Sequence, residues 1–166
     1  LSVSDPAPKP PHLALGRLPS GIYILTVGRL TEGGAGATGM LASWVQQAAF
    51  EPPMVSVALK RGRPVSDRIE AGEPFVLNVV GEGHKALLKH FARGFQPGEP
   101  AFDGVAIAPT ACGAPALADA IAVIEGRLSA AVDAGDHRVV VAEVTASEVR
   151  ADTPPMVHLR KRGDHY

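Results

Sequence analysis

Apolar and polar residues alternate along several short segments of the chain, and this period of two is typical of strands that bury one face of a sheet. In residues 54–60, MVSVALK, the alternation places Val55, Val57 and Leu59 on one predicted core face. Runs rich in β-branched and aromatic residues predict further strands at residues 21–29, 38–45 and 74–81. The segment just before residue 54 is expected to leave the sheet, because its two prolines cannot donate to a strand ladder.

Two longer strands are predicted at residues 120–133 and 137–150, joined by a tight hairpin at the turn pair Gly135-Asp136. The alternation assigns five residues of the first strand to one face: Ala122, Ile124, Leu128, Ala130 and Val132. The matching face of the second strand consists of Val140, Ala142, Val144 and Ala146. Weaker signals predict strands at residues 105–108 and 114–117 and an edge strand at residues 156–162.

A few short helices accompany these strands. In residues 83–94, GHKALLKHFARG, Leu87, Leu88 and Phe91 form an apolar stripe at helical spacing, and Gly94 supplies the stop. Shorter helices are predicted at residues 12–18 and 63–72. Strands in antiparallel succession with few helices indicate a mainly β fold, a β-barrel with peripheral helices rather than a doubly wound sheet.

The composition fits one folded domain with no general attraction to polyanions. The chain has 166 residues, of which 46% are hydrophobic and 20% charged, and its net charge is −1. We therefore expect no nucleic-acid and no membrane partner, and any anion site must be local. Residues 1–11 are interpreted as a proline-rich linker and residues 12–166 as the domain.

Several other chemistries are not predicted. Cys112 is the only cysteine, so no intrachain disulfide can form and a reducing, cytoplasmic setting is expected. The six histidines lack ligand spacing such as HExxH, so no metal site is predicted. The glycine-rich residues 31–37, TEGGAGA, lack the GxxxxGK[ST] order of a phosphate-binding loop and predict a hairpin loop.

A neutral stretch precedes a cluster of cations in the middle of the chain. Residues 33–50 contain no charged side chain, but they include Ser43 and the only tryptophan, Trp44. The following strand ends in three cations, here called the basic corner: Lys60, Arg61 and Arg63. Small neutral residues let a flat ligand approach the backbone, and cations near Ser66 at a strand-to-helix junction suit a phosphate. The pattern fits a ligand with a planar head and an anionic tail; the simpler alternative is a solvated turn beside a core tryptophan.

Residues 38–80 carry a recognisable combination of motifs. The segment TGMLASWVQQAAFEPPMVSVALKRGRPVSDRIEAGEPFVLNVV joins small residues and a serine, a Pro-Pro break, a strand ending in cations, and FVLNV. Later, GHKALLKHFARGF and GDHRVVVAEV complete the pattern. The combination resembles the flavin reductase-like, FMN-binding split-barrel family, in particular the C-terminal flavin reductase module of flavodiiron (diflavin) proteins. The resemblance spans residues 15–166 and implies a Greek-key antiparallel split barrel.

This resemblance also implies cofactors and partners. Members of the family bind FMN at the edge of each subunit of a homodimer, and the partner subunit completes the pocket. The reductant would be NADH or NADPH, and FAD or riboflavin are further flavins that such an enzyme accepts as substrates. A downstream electron acceptor, or a fused or partner oxidoreductase, would take the electrons.

The resemblance carries site residues over to this sequence. Five residues would line the isoalloxazine ring, largely through the backbone: Met40, Leu41, Ala42, Ser43 and Trp44. Four would contact the phosphate and ribityl chain: Lys60, Arg61, Arg63 and Ser66. His90 and Phe91 lie where the family's helix approaches the flavin. His137, the catalytic candidate, would face the open side of the ring, where a nicotinamide stacks.

Alternatives remain for the activity and for two of these segments. A non-catalytic flavin- or haem-binding split-barrel module would share the same fold and motifs. His137 directly follows the turn pair Gly135-Asp136, which also suits an ordinary surface hairpin. The basic tail from residue 158 to 166 fits a solvated edge strand, a cover over the partner's site, or a contact with the phosphate of NADPH.

Overall fold

The computed structural model describes residues 11–31, 36–161 and 163. The predicted linker at residues 1–11, the centre of the glycine-rich turn and the end of the basic tail therefore lie wholly or largely outside the described residues. Three helices are present in the described part: α1 (Pro11–Leu15), α2 (Pro64–Glu70) and α3 (Lys85–Ala92). None of the described helices is long and apolar enough to cross a membrane.

Strands form the larger part of the regular secondary structure in the described chain, as the alternation predicted. The first five strands are β1 (Ser20–Gly21), β2 (Tyr23–Gly28), β3 (Ala37–Ala42), β4 (Val45–Ala49) and β5 (Met54–Lys60). They are followed by β6 (Phe75–Val79), β7 (Ile107–Ala108), β8 (Ala116–Leu117), β9 (Ala122–Ala134), β10 (His137–Val149) and β11 (Val157–His158). The expected mainly β fold with short helices is confirmed.

Seven strands form one antiparallel sheet in the order β3-β2-β6-β9-β10-β5-β4. The two outermost strands, β3 and β4, are consecutive in the chain and are joined by Ser43 and Trp44 alone. Three peptide units span at most about 11 Å, so this junction brings the two ends of the sheet close together. β1 pairs with β11 and β7 pairs with β8 in two small ribbons beside the sheet.

The pleat of the sheet divides the core into two clusters. On β5, Val55, Val57 and Leu59 all lie in the second cluster, as their alternation predicted. That cluster also contains Val65 and Ile69 of α2, so α2 packs on this face. The first cluster lies on the other face under α3, and its members include Ile22, Ile24, Val76, Phe91, Phe102 and Leu117.

Two strand predictions need correction. Residues 38–45 do not form one strand, because the chain turns out of β3 at Ser43 and Trp44 and enters β4. The expectation that residues 46–53 leave the sheet holds only for residues 50–53, which include both prolines, since Gln46 and Gln47 of β4 pair with β5. Residues 38–45 are small or apolar with no Gly, Pro, Asn or Asp at the junction, so the pattern alone gives no sign of the change of strand.

The predicted face of β9 is only half right. Ile124 and Leu128 pack against the second cluster, but beyond Leu128 the packed residue is Ala131 and not Ala130. Val132 is 62% exposed. A register shift opposite Val141 and Ala142 inserts an extra residue into β9 and reverses its faces. On β10 the prediction holds for Val140, Ala142 and Val144, which all belong to or pack on the second cluster.

Candidate functional site

A cavity of about 810 Å³ opens beside the junction between the two ends of the sheet, and we call it the Trp44 cavity. Its walls come from the junction, from β4, β5 and β10, and from α1 and the segment after β11. The residues that line the cavity include Ser43, Trp44, Ser56 and Arg160. Its volume is within the range of about 300–1,000 Å³ that is usual for small-molecule sites.

The junction places Ser43 and Trp44 at the cavity wall. The carbonyl of Trp44 accepts a hydrogen bond from the Ala58 amide at 2.9 Å, which ties the junction to β5. Ser43 is 6% exposed, and its buried hydroxyl has no hydrogen-bond partner among the described residues. A buried hydroxyl without a partner costs about 1–3 kcal/mol, so such groups usually serve a ligand or an ordered water.

The indole ring of Trp44 lies between a histidine and an arginine. The His137 ring is centred 4.8 Å from it at an interplanar angle of 40°. The Cζ atom of Arg160 lies 4.9 Å from the indole centroid, a cation–π contact. The structure thus brings the predicted residues Trp44 and His137 together, although 93 positions separate them in the sequence.

His137 is held in place by its neighbour in the hairpin. It is the first residue of β10, opposite Lys60 of β5, and only 7% of it is exposed. Its Nδ1 atom lies 2.7 Å from Asp136 Oδ1. This hydrogen bond, more than any other influence, lowers the pKa of the Asp136 carboxyl, with the Lys60 charge a smaller cause. An anionic Asp136 fixes the orientation of the imidazole against the indole ring.

In the basic corner, Arg61 is paired with carboxylates and does not stand alone. Its Nη2 atom lies 2.7 Å from Asp133 Oδ1, and Arg138 Nη1 lies 3.0 Å from the same oxygen. Arg138 Nε lies 3.1 Å from Glu70 Oε2, which extends the network to α2. The hydrogen bond from Arg61 is the main reason that the pKa of Asp133 is lowered.

The other two members of the predicted phosphate seat point to different surroundings. The Arg63 guanidinium lies beside Gly94, where a Cβ atom would be 3.4 Å from its Nη1. Ser66 is fully buried in α2, and its hydroxyl lies 3.4 Å from Glu70 Oε1. Neither residue lines the Trp44 cavity.

Of the two residues predicted on α3, Phe91 lies in the first core cluster and the His90 ring contacts the Phe91 ring. Phe91 is 1% exposed and packs on Gly39 of β3, where a Cβ atom would come within 2.9 Å of its ring. The His90 Nε2 atom lies 2.8 Å from the Ala101 carbonyl oxygen. Both side chains therefore have partners within the fold.

The three predicted residues on β3 are divided by its pleat. Leu41 packs on the first cluster, whereas Met40 and Ala42 belong to the second. None of the three lines the Trp44 cavity. Within the described ranges, no three His, Cys, Asp or Glu side chains are grouped as metal ligands.

Arg160 is a cavity residue that the sequence marks only as part of the basic tail, for which contact with the phosphate of NADPH is one of the predicted alternatives. It appears there only as one of several cations in the basic tail, HLRKR. Its Nη2 donates to the Leu15 carbonyl at 3.3 Å, a contact between residues 145 positions apart. No local sequence pattern predicts such a contact.

Comparison with known proteins places this geometry in a family. The profile of the flavin reductase like domain matches residues 15–165, nearly the whole chain. The chain belongs to the flavin reductase-like family. Family membership and the fold together support a flavin oxidoreductase, and the family resemblance noted from the motifs is confirmed.

Among curated relatives, this flavin reductase-like chain is 41% identical over 155 residues to "Putative diflavin flavoprotein A 3" of Nostoc sp.. It is 39% identical over 155 residues to "Diflavin flavoprotein A 1" of Synechocystis sp.. Each alignment covers 92% of this chain and 26% of the relative, so the chain spans about a quarter of the length of these proteins.

Solved structures of flavin reductases have the same fold. The NADH:FAD oxidoreductase SgcE6 of Streptomyces globisporus superposes with a TM-score of 0.81 at 26% identity, over 93% of this chain and 89% of that one. The styrene monooxygenase flavin reductase SMOB of Pseudomonas putida S12 gives 0.74 at 27% identity, over 90% and 92%. Flavin reductase HpaC, solved with NADP+, gives 0.73 at 26% identity, over 89% and 90%.

Proposed function

We propose that this chain is an NAD(P)H:flavin oxidoreductase that uses FMN and works as a homodimer. The observation that carries the proposal is the Ser43–Trp44 junction, which sets a buried hydroxyl and an indole ring at the wall of a ligand-sized cavity with His137 against the indole. The names of the related structures, an NADH:FAD oxidoreductase and a reductase with NADP+, support the nicotinamide and leave FAD as a further flavin substrate.

The residues present fit a flavin. The Ser43 hydroxyl lacks a partner among the described side chains and backbone groups, and a flavin ring edge offers both donors and acceptors. The Trp44 ring supplies a flat apolar surface in the same wall. Residues 33–50 carry no charged side chain, so this segment itself places no ion beside a neutral ring system.

Each residue then has a physical task. Ser43 binds the ring edge, Trp44 excludes water from one side, and His137 is kept in one orientation by Asp136. Met40, Leu41 and Ala42 contribute backbone groups. When bound, the flavin supplies the acceptor for a hydride from the nicotinamide, and such transfer asks the protein mainly for geometry and electrostatics.

The remaining predicted flavin contacts differ in how their side chains are placed. Lys60 is exposed beside Asp136 at the mouth of the hairpin, which favours a contact with an anionic group. Arg61, Arg63 and Ser66 would need their present neighbours to be replaced or shared. His90 and Phe91 are proposed to act only through the position of α3 against β3.

A fused or separate oxidoreductase is proposed as the electron acceptor. The curated relatives are named diflavin flavoproteins, and this chain matches about a quarter of each of them. A partner that accepts electrons from the flavin module is therefore consistent with these relatives.

One experiment tests the activity directly. The protein is incubated with FMN, desalted, made anaerobic and titrated with NADH and, separately, with NADPH while its visible absorbance is followed. We expect bound flavin to lose its visible band with at least one nicotinamide. Flavin that stays oxidised with both would instead indicate a non-catalytic binding module, and sedimentation of the same sample checks the homodimer.

A further inference from the structure

Arg160 is a buried cation whose charge is not balanced by the described part of the chain. Only 8% of it is exposed, and its Nε atom is buried without a hydrogen-bond partner among the described residues. Its polar contacts with the described residues include one long hydrogen bond to the Leu15 carbonyl at 3.3 Å and the face of Trp44. No carboxylate of the described residues lies within salt-bridge distance of it.

This situation is costly for an arginine. The guanidinium group stays protonated at any pH that a folded protein meets, so burial cannot neutralise it. A buried charge that lacks a counter-charge destabilises a fold strongly, and an arriving anion removes that penalty. Arg160 therefore favours an anion in the space that it lines.

Other arginines of the chain show that this arrangement is particular to Arg160. Arg93 also stacks on an aromatic ring, with its Cζ 4.3 Å from the Phe95 centroid. Its side chain is 62% exposed, however, and has Glu99 at 3.6 Å. Arg61 and Arg138 share Asp133.

The segment around Arg160 is anchored firmly enough to form a site. Before Arg160 in the chain, β11 pairs with β1. After it, the Gly163 amide donates to the His12 carbonyl at 2.7 Å. Gly163 also lies so close to Leu15 that a Cβ atom would approach the Leu15 Cβ to 2.5 Å. Contacts on both sides thus hold Arg160 at the cavity wall.

We propose that Arg160 binds a phosphate group of a nucleotide in the Trp44 cavity, while Trp44 and Ser43 contact the planar part of the same ligand or of its neighbour. The inference rests on the proposed function and adds to it the residue that recognises the anion. FMN and the nicotinamide dinucleotides both carry phosphate, and arginine matches phosphate oxygens with two parallel N–H donors. The cavity volume of about 810 Å³ accommodates a nucleotide portion.

The test compares Arg160→Gln and Arg160→Lys with the matched control Arg93→Gln. Equilibrium dialysis gives the Kd of each variant for FMN and for riboflavin, which lacks the phosphate. Calorimetry gives the Kd of the FMN-loaded protein for NAD+ and NADP+. Trp44 is the only tryptophan, so its emission reports events in this cavity, and thermal unfolding is recorded with and without inorganic pyrophosphate.

We expect Arg160→Gln to weaken one phosphate-bearing ligand by about tenfold to a hundredfold, the usual value of a charge-assisted hydrogen bond. A loss for FMN without a loss for riboflavin identifies the flavin phosphate as the anion. A loss for NAD+ or NADP+ with FMN unchanged identifies the dinucleotide. Arg160→Lys keeps the charge without the planar guanidinium, so its affinity for that ligand should lie between those of the wild type and Arg160→Gln. The affinity of Arg93→Gln should match that of the wild type. If Arg160→Gln does not fold, Arg160→Lys carries the comparison.

Equal losses for FMN and riboflavin with unchanged dinucleotide affinity would overturn the proposal, since they indicate a structural role alone. So would unchanged affinities throughout. If the wild type binds no flavin, the proposed function fails, and pyrophosphate decides the inference separately. It should then alter Trp44 emission and raise the Tm of the wild type but not of Arg160→Gln; no effect on the wild type would overturn the inference too.

Discussion

The Trp44 cavity and the basic corner both contain cations, but the groups that surround these cations differ. In the corner, Arg61 is matched to Asp133 at 2.7 Å, and Arg138 joins the same carboxylate to Glu70. At the cavity, Arg160 is buried against Trp44 with no described carboxylate, and Ser43 close by has an unpaired hydroxyl. The corner is visible in the sequence as a run of cations, whereas the cavity shows one arginine in a tail.

The difference indicates that the affinity a cation contributes for an anionic ligand depends on the groups that surround the cation. An exposed arginine that already has a carboxylate must share its donors and is screened by water, so it adds little affinity. A buried arginine without a counter-charge gains the full benefit of an anion. The four predictions below test this contrast.

The largest effect is expected from Trp44→Ala. Loss of the indole removes the surface that contacts His137 and Arg160, and ring stacking is usually worth about 1–3 kcal/mol. FMN affinity measured by quenching of flavin fluorescence should fall about tenfold to a hundredfold. Phe50→Ala is the control, because Phe50 is 87% exposed and lies outside the cavity wall. Wild-type affinity in Trp44→Ala would place the flavin elsewhere.

Ser43→Ala should change affinity and stability in opposite directions. Without ligand, the variant loses a buried hydroxyl that has no partner, so urea unfolding should give an unchanged free energy or one higher by about 1 kcal/mol. FMN affinity should fall about fivefold to tenfold for the lost hydrogen bond. Ser56→Ala is the control: Ser56 lines the same cavity, but its hydroxyl already donates to the Gln46 carbonyl at 3.4 Å. A less stable Ser43→Ala with normal affinity would contradict the assignment.

Arg61→Gln should affect its own network far more than the ligand. The change removes the hydrogen bond that chiefly lowers the pKa of Asp133, so that pKa should rise towards its ordinary value in a carbon NMR titration. FMN affinity should change by less than about threefold, because the arginine is exposed and already paired. A selective tenfold loss for FMN over riboflavin would restore the basic corner as the phosphate site.

The smallest effect is expected in the pH dependence of His137→Gln. Because the pKa of Asp136 is lowered below 3.8 in the folded protein, its stabilising contribution is complete above that value and is lost as the pH falls through the lower, folded pKa. The urea midpoint of the wild type should therefore exceed that of the variant more at pH 6 than at pH 3. An equal difference at both pH values would show that the hydrogen bond between His137 and Asp136 does not contribute.

Much of the fold could be predicted from local patterns. The core face of β5, the apolar stripe of α3 and the hairpin between β9 and β10 all follow from periods of two or 3.6 residues and from turn residues. The reversal of faces after Leu128 could not be predicted, since a bulge is set by the pairing with β10. The turn at Ser43 and Trp44 was also not predicted, because small and apolar residues continue through it without Gly, Pro, Asn or Asp at the junction.

The candidate site was predicted in its residue types and only partly in its arrangement. Ser43, Trp44 and His137 were selected from motifs, and the structure brings the rings of Trp44 and His137 to 4.8 Å. The phosphate contacts at Arg61, Arg63 and Ser66 remain predictions, and the structure gives each of them a partner or neighbour within the fold. Arg160 could not be found in this way, because its position depends on Leu15 at the far end of the chain.

By itself, the sequence determined the strands, the short helices and the family, because periodicity, turn residues and motifs are properties of neighbouring positions. Only the tertiary structure decided which arginines pair with carboxylates and that Arg160 is buried without a carboxylate from the described residues. Charge pairing and burial depend on residues brought together from distant parts of the chain, as Arg160 is brought to Trp44 and Leu15. The run of basic residues therefore showed where positive charges are concentrated. The fold showed that Arg160 is buried without a carboxylate from the described residues.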